Sequence, residues 1–317
     1  MKTCCFPAPQ DEACRLIIHA GVGHQTFEET SRQPSFGQKL QLICALLSKG
    51  YEWLTQEECL AIDVVQRIVA VMEDSGLFNA GKGSVHLEQT GMVSLSAGVM
   101  DGGLNLQTGA VSDVVTIRNP IDAARTLMDH TDHLLLAGPS AEQWAESVGL
   151  PTVHHPSTYY RRHYHHHHYP SNKRNDQSET VGAIVLKDGN LVVATSTGGL
   201  SKSRQMLPGR ISASAIVGAG FYANNETCAV LFTGHGEESQ RHVAAYDIAA
   251  QIKYAGKSLQ EATCHTLEKM VNSPTWDPSY NGGFVSMNKH GEICIVFYGG
   301  SLLHGVAFET GKVHIGV

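Results

Sequence analysis

The pattern of apolar and polar residues predicts blocks of strands separated by blocks of helices. Apolar runs of short period indicate strands, and apolar positions three and four residues apart indicate helices. The predicted strands cover residues 14–19, 92–99, 109–117, 134–137, 180–187, 191–199, 218–223, 229–233, 284–287, 292–298 and 303–308. The predicted helices cover residues 38–47, 57–73, 121–128, 141–148, 238–254 and 258–270. This order favours an α+β fold in which two sheets lie between helical layers.

The clearest boundary in the pattern falls at Thr180. Residues 151–179 are polar, rich in histidine and aperiodic, whereas residues 180–199 form two apolar runs joined by an Asp-Gly-Asn turn, which is typical of a β-hairpin. A threonine at the start of a strand, directly after a linker, suits an enzyme that cleaves itself to expose a nucleophile. The freed α-amine, with a reference pKa near 8, can then accept the proton of the threonine hydroxyl.

Other threonines have positions that suit such a site. Thr195 and Thr197 are two residues apart and therefore share one face of a strand. Thr233 ends another strand and is followed by a glycine-rich turn at residues 234–237, where backbone N–H groups can stabilise an oxyanion. The alternative is that these threonines simply pack within the sheets, since threonine is common in strands.

Composition narrows the classes of function. With 317 residues, 42% hydrophobic and 17% charged, the chain is typical of a globular protein of one or two domains. A net charge of −7 argues against a nucleic-acid surface. The eight cysteines lack metal-ligand spacing, which predicts reduced thiols. We find neither a signal peptide nor an apolar run long enough for a membrane span, which predicts a cytoplasmic protein without membrane partners.

The linker carries a cluster of histidines at positions 154, 155, 163 and 165–168. Neutral imidazole is a common metal ligand, so one hypothesis is a metal-binding tract. The other is a solvated, disordered linker, because no second fixed set of ligands defines a coordination geometry.

Eight short motifs, taken together, resemble the plant-type asparaginase and isoaspartyl peptidase family of N-terminal-nucleophile hydrolases. Each motif alone is weak, but all eight occur in the family's order between about residues 15 and 310. They are Leu77-Phe-Asn-Ala-Gly-Lys-Gly-Ser-Val85, Met100-Asp-Gly102, Ile117-Arg-Asn-Pro120, Thr180-Val-Gly-Ala183, Ala194-Thr-Ser-Thr-Gly-Gly199, Pro208-Gly-Arg210, Gly218-Ala-Gly-Phe-Tyr-Ala-Asn224 and Thr233-Gly-His-Gly-Glu237.

The resemblance implies a four-layer αββα sandwich and cleavage of the peptide bond between Glu179 and Thr180. The products are an α segment, residues 1–179 with the linker at about 151–179, and a β segment, residues 180–317, which together form one intertwined domain. The family assembles as a homodimer of such αβ units. Its substrates are β-aspartyl dipeptides and L-asparagine, and no cofactor is required.

The resemblance also assigns roles to individual residues. Thr180 is the nucleophile and Thr197 hydrogen-bonds to it, Thr233 and Gly234 form the oxyanion hole, and Asn79 lies beside the nucleophile. Arg210 holds the substrate α-carboxylate, which suits a planar guanidinium, and Gly234 and Gly236 are further substrate contacts. A structural sodium ion is implied on backbone carbonyls of the loop from Met72 to Lys82, at Met72, Glu73, Ser75, Phe78, Ala80 and Lys82.

Several positions depart from the family pattern. Ala213 replaces the aspartate that binds the substrate α-ammonium, and Ser96 stands where another aspartate is common. Glu179 replaces the usual glycine or aspartate before the nucleophile, and Ala20 and Val22 replace flexible residues in a loop near the N-terminus. The residues that match the nucleophile and its partners are therefore intact, whereas residues that match the substrate-recognition positions are changed.

Three functions remain open from the sequence. The first is an autoprocessed hydrolase of β-aspartyl dipeptides and asparagine. The second is an aspartase-like endopeptidase, which Ala213 favours, although Thr197 is a serine in that branch. The third is a degenerate relative that does not cleave itself and has a binding or structural role, which Glu179, Ala20 and Ala213 favour.

Overall fold

A computed structural model describes residues 1–8, 14–23, 26–33, 35–87, 91–103, 105–164, 180–200, 207–308 and 312–317. The strands are β1 (Lys2–Phe6), β2 (Cys14–Gly23), β3 (Leu95–Asp101), β4 (Thr108–Val114), β5 (Leu135–Ala137), β6 (Val181–Lys187), β7 (Asn190–Thr197), β8 (Phe221–Ala223), β9 (Cys228–Gly234), β10 (Gly282–Asn288), β11 (Ile293–Tyr298), β12 (Ser301–Ala307) and β13 (Val313–Gly316). The α-helices are α1 (Phe27–Ser31), α2 (Phe36–Leu54), α3 (Ala61–Ser75), α4 (Pro120–His130), α5 (Gly138–Ser147), α6 (Pro156–Tyr164), α7 (Gly236–His242), α8 (Ala244–Ala255) and α9 (Leu259–Val271).

The strands form two sheets. The larger has the order β13-β12-β2-β6-β7-β3-β4-β5, and the smaller has the order β1-β11-β10-β9-β8. Helices α2, α3 and α4 contact the larger sheet, α8 and α9 contact the smaller one, and β2, β6 and β7 contact β9. The expected α+β class is therefore confirmed.

The chain segments before and after Thr180 both contribute strands to the larger sheet, and these strands pair with each other. Strand β2, from the N-terminal part of the chain, lies between β12 and β6, and β7 pairs with β3. A chain cut before Thr180 would keep these ladders as contacts between its two pieces.

Strand β6 is buried on both faces, and the alternation of its side chains determines the direction in which Thr180 points. Val181, Ala183 and Val185 pack with the helices of the larger sheet. Ile184 and Leu186 belong to the second apolar cluster, which also contains residues of β8–β11. Since side chains alternate along a strand, Thr180 shares the face of Ile184, which is directed toward the smaller sheet.

Two predictions from the pattern were wrong. The helix predicted over residues 238–254 is two helices, because Val243 adopts a left-handed backbone with φ of 47° between α7 and α8. The linker predicted to be disordered over residues 151–179 contains α6, in which Tyr160 is buried and its hydroxyl donates to the Val115 carbonyl at 3.2 Å. Residues 165–179, which include Glu179 and the histidines at 165–168, lie outside the described residues.

No helix in the part of the chain that the structure describes is both long enough and apolar enough to cross a bilayer. Within the same ranges, no cluster of three or more histidine, cysteine, aspartate or glutamate side chains has a metal-binding arrangement.

Two buried histidines make the folded chain sensitive to acid. His19 and His304 are paired across β2 and β12. Burial, the larger cause, and the neighbouring His304 together lower the pKa of His19 to about 3. An unfolded imidazole titrates near pH 6.5, so below that pH the unfolded state takes up a proton that the folded state does not. The stability from neutral His19 is complete above pH 6.5 and is lost as the pH falls from there toward 3.

We predict that His19 contributes about 2 kcal/mol to the loss of unfolding free energy between pH 6.5 and pH 5, at about 1.4 kcal/mol per pH unit. Urea unfolding of the uncleaved Thr180→Ala protein should show a steep decline of stability over this range. Adding His19→Asn should reduce that slope, whereas His133→Asn, at an exposed position, should leave it unchanged. Equal slopes with and without His19 would contradict the assignment.

Candidate active site

Thr180 lies at the start of β6, buried and paired with Thr197. Asp188 and Gly189 both have positive φ, 51° and 77°, which is typical of a tight type I′ hairpin turn. This turn sets the register in which Val181 lies opposite Ser196, so Thr180 comes opposite Thr197. The Thr180 hydroxyl donates to Thr197 Oγ1 at 3.2 Å. Thr180 is 5% exposed, and it is the first described residue after the linker.

Thr197 is held in turn by the backbone that follows it. Its Oγ1 also accepts a hydrogen bond from the Gly199 N–H at 3.1 Å. Thr195, on the same face, donates to the Val181 carbonyl at 3.0 Å and is fully buried. The hydroxyl groups of this face therefore connect β6 and β7 close to Thr180.

Asn79 positions the segment after β7. Its side-chain amide donates to the Gly199 carbonyl at 2.7 Å, its Oδ1 accepts from the Val85 N–H at 3.0 Å, and its own carbonyl accepts from the Gly198 N–H at 2.8 Å. A Cβ at Gly198 would lie 2.4 Å from Asn79 Oδ1 and 2.4 Å from Ser84 Oγ. Only glycine fits at this position.

The smaller sheet supplies the opposite side of the site at the end of β9. Gly234 has φ of 132°, and a Cβ there would lie 2.4 Å from the Asn281 carbonyl oxygen, so the backbone requires glycine. The Thr233 Oγ1 accepts from the Val22 N–H at 3.3 Å, and Asn281 Nδ2 donates to the Val22 carbonyl at 3.2 Å. Both backbone groups of Val22 thus tie β2 in the larger sheet to the smaller sheet.

These elements line one partly open pocket. Its lining residues are Thr180, Thr197, Gly199, Leu200, Arg210, Ser212, Ala213, Ser214, Phe232, Gly234 and Gly236. The structure therefore brings Thr180, Thr197, Arg210, Gly234 and Gly236 together around one cavity. Asn79 and Thr233 are not part of this lining, and their side chains hydrogen-bond to the backbone of Gly199 and Val22. Glu179 lies outside the described residues.

Sequence reasoning assigned no role to five lining residues: Gly199, Leu200, Ser212, Ser214 and Phe232. Ser212 and Ser214 flank Ala213 in a 3-10 turn at Ala213–Ala215, in which Ser212 accepts a hydrogen bond from the Ser214 N–H. Their position directly after Arg210 is the signal that would have located them. Leu200 and Phe232 adjoin sequence motifs but carry no pattern of their own.

Arg210 is paired with a carboxylate at the edge of the pocket. Its Nε donates to Glu237 Oε1 at 2.5 Å, and its side chain is 15% exposed. Partial burial raises the pKa of the Glu237 carboxyl, but the hydrogen bond and charge of Arg210 outweigh burial and hold that pKa below its usual value. Arg210 Nη2 would lie 3.2 Å from a Cβ at Gly236, so the guanidinium passes over this glycine.

Ala213 and Ser96, two departures from the family pattern, are connected by hydroxyl groups. Ser96 Oγ lies 2.8 Å from Ser112 Oγ, which accepts from the Ser212 N–H at 3.1 Å. Ala213 follows directly and is 4% exposed. Among the lining residues in the described part of the chain, Arg210 carries the only formal charge, and none is a carboxylate.

The loop from Met72 to Lys82 is wound tightly at the end of α3. A Cβ at Gly83 would lie 2.2 Å from the Phe78 carbonyl oxygen, and one at Gly81 would lie 2.8 Å from the Glu73 carbonyl oxygen. The Ser75 hydroxyl donates to the Met72 carbonyl at 2.7 Å. The Glu73 side chain points away from solvent, accepts from the Ile121 N–H at 3.2 Å, and has its pKa raised to about 8 by burial. Main-chain oxygens of such a compact loop are the ligands that a hard cation prefers.

Known proteins resemble this chain over most of its length. The model of a family described as "Asparaginase" matches residues 12–317. An isoaspartyl peptidase of Escherichia coli (strain K12) is 36% identical over 297 residues, covering 89% of this chain and 89% of its own. An isoaspartyl peptidase/L-asparaginase of Bos taurus is 36% identical over 310 residues, covering 95% of each chain.

A Xenopus laevis isoaspartyl peptidase/L-asparaginase is 34% identical over 309 residues, covering 95% of this chain and 94% of its own. A family match over residues 12–317, and relatives of this identity aligned over 89–95% of the chain, establish the relationship. The chain belongs to the asparaginase family.

Proposed function

We propose that the chain cleaves itself before Thr180 and then hydrolyses β-aspartyl amide bonds in isoaspartyl dipeptides and asparagine. The observation that carries the proposal is the Thr180–Thr197 hydrogen bond inside a pocket that also contains a guanidinium and a glycine turn. The relatives named isoaspartyl peptidase support the substrate class. Thr197, which is a serine in the aspartase-like branch, lies in this pocket and speaks against the endopeptidase alternative.

The mechanism follows from the positions of the side chains. The freed Thr180 amine accepts the proton of Thr180 Oγ1, which attacks the β-carbonyl of the substrate. Thr197 fixes the direction of this hydroxyl. Backbone N–H groups of the Gly234 turn stabilise the oxyanion, while Arg210 holds the substrate carboxylate. The protonated amine releases its proton to the leaving nitrogen, and water then hydrolyses the ester on Thr180.

We infer further that the layers stack as a four-layer αββα sandwich and that two αβ units form a homodimer. The helix contacts on the outer sides of two sheets that touch each other support the sandwich. We also propose a structural sodium ion on main-chain oxygens of the loop at Met72–Lys82. The tight winding at Gly81 and Gly83 supports it. The ion would stabilise the loop that carries Asn79 and has no step in the reaction.

We predict that the purified chain separates into residues 1–179 and 180–317, slowly because Glu179 and Ala20 stand at positions where the family has smaller residues. Thr180→Ala and the isosteric Thr180→Val should stay in one piece, because both lack the attacking oxygen. Thr180→Ser keeps a hydroxyl and should cleave. Intact-mass measurement distinguishes these outcomes. A wild-type chain that stays whole after several days at physiological temperature would support the degenerate, non-cleaving alternative.

We predict that Gly198→Ala lowers both self-cleavage and turnover by about a hundredfold, because a new Cβ would displace Asn79 and with it the Gly199 N–H that holds Thr197. The matched control is Gly37→Ala in α2, where a Cβ would meet nothing within 4 Å. The control should cleave at the wild-type rate. Normal cleavage by the Gly198 variant would show that Asn79 does not position the site.

The third prediction concerns the substrate ammonium group. Ala213 leaves the described pocket lining without a carboxylate, so free asparagine should be a poor substrate. Ala213→Asp should raise kcat/KM for β-aspartyl dipeptides about ten- to a hundredfold, which corresponds to ~1.5–3 kcal/mol for a charge-assisted hydrogen bond.

Ala213→Asn is the control for that experiment, because it has nearly the same shape without the charge and should give little gain. Both variants must be compared in fully cleaved preparations, so that processing does not affect the rates. Equal activity of wild type, Asp and Asn variants would mean either that another group already binds the ammonium or that the true substrate lacks a free α-amine, and the β-aspartyl assignment would lose its main support.

A further inference from the structure

The N-terminal strand β1 lies outside the part of the chain that matches the asparaginase family, which begins at residue 12. It extends the smaller sheet at its edge, antiparallel to β11, with Lys2 opposite Phe297 and Phe6 opposite Ile293. If the chain is cleaved before Thr180, β1 belongs to the N-terminal piece and β11 to the C-terminal piece. This ladder is therefore a contact between the two products of cleavage.

The two faces of β1 carry different contacts. Phe6 packs its ring against Phe308 and His314, with centroid separations of 5.9 Å and 5.1 Å, and Cys4 also packs on the apolar cluster. Because side chains alternate along a strand, Thr3 and Cys5 face the other way. Thr3 there comes within 3.9 Å of Cys264 Sγ on α9.

Cys5 and Cys294 stand directly opposite each other across this ladder. They are register partners, and their sulfur atoms are 3.4 Å apart. Both are reduced thiols, Cys5 exposed and Cys294 buried. Opposed residues of antiparallel strands have Cα atoms about 4.5–5.5 Å apart, which lies within the range that a disulfide spans. Small side-chain rotations are enough to bring the sulfur atoms to bonding distance.

We propose that Cys5 and Cys294 are a thiol–disulfide modification site, oxidised by glutathione disulfide, that covalently joins residues 1–179 to residues 180–317. The Cys5 thiolate attacks one sulfur of glutathione disulfide, and one glutathione leaves with the proton lost by Cys5. The Cys294 thiolate then attacks Cys5 Sγ and displaces the second glutathione, which takes up the second proton. Two protein thiols are oxidised, and one glutathione disulfide is reduced to two thiols.

The different exposure of the two cysteines fits this order of the two exchange steps. Cys5 is accessible to a small disulfide, whereas Cys294 is buried next to it and is the group that resolves the mixed disulfide. Burial raises the pKa of both thiols, so exchange is slow at neutral pH and is best followed in mildly alkaline buffer. An edge strand with one accessible sulfur also gives a reductant access to the bond.

The joining of two separate pieces rests on the proposed cleavage at Thr180, but formation of the disulfide does not. The purified protein is incubated with glutathione disulfide, treated with an alkylating agent, and run on denaturing gels with and without reductant. The reducing lane reports cleavage. In the non-reducing lane, cleaved wild-type protein should migrate as one species of full-chain size, whereas it gives two species after reduction.

Matched variants identify the sulfur atoms. Cys5→Ser should abolish the joined species, and Cys294→Ala should do the same, with circular dichroism as the check on folding because Cys294 is buried. Cys4→Ser and Cys264→Ser should leave the joined species unchanged, since Cys4 points to the other face and Cys264 is not the opposed partner. Peptide mapping should recover a Cys5–Cys294 disulfide, also in the uncleaved Thr180→Ala protein.

The proposal is overturned if Cys5 stays open to alkylation in excess glutathione disulfide, if it ends only as a glutathione adduct, or if it bonds to Cys264. A single band in the reducing lane would instead refute cleavage, and peptide mapping of that uncleaved chain would still decide on the disulfide.

Discussion

The hairpin that pairs β6 with β7 is the constraint on which the site depends. Its turn at Asp188 and Gly189 has positive φ at both positions, and this geometry fixes the register of the two strands. A slip of one residue would turn every side chain to the opposite face. Thr180 would then face the helices rather than the smaller sheet, and the Thr197 hydroxyl would no longer lie beside it.

The second requirement is that the two sheets meet in one fixed position, because Thr180 and the glycine turn at Gly234 lie on different sheets. The apolar cluster between the sheets provides the stabilisation, but apolar packing is not directional. The relative position of the sheets is fixed by hydrogen bonds of Val22. Its N–H donates to the Thr233 hydroxyl, and its carbonyl accepts from the Asn281 side chain, both on the side of the smaller sheet. Val22 makes both backbone contacts with its branched side chain in place, so this departure from the family pattern does not separate the sheets.

Local patterns predicted much of the fold and of the site, and the failures have physical causes. The hairpin, the glycine turn at Gly234 and the helix spacing are encoded within short segments, so the sequence predicts them. The break at Val243 depends on a left-handed conformation that valine rarely adopts, which periodicity does not reveal. Strand β1 and the Arg210–Glu237 pair depend on partners distant in sequence, and no local pattern reports such contacts.

The electrostatics of the pocket show which substrate contact the loss of the usual aspartate removes. Arg210 carries the only formal charge among the described lining residues and is paired with Glu237, and its guanidinium can bind a substrate carboxylate whether or not position 213 is charged. Ala213 leaves a substrate α-ammonium without a carboxylate in the described lining, and the Ser96 and Ser112 hydroxyl groups that lead to Ser212 are neutral. A buried network of hydroxyl groups needs no charge compensation, because each hydroxyl can donate and accept. The pocket therefore keeps a charged partner for the substrate carboxylate and lacks one for the substrate amine, which is the contact that an aspartate at position 213 would supply.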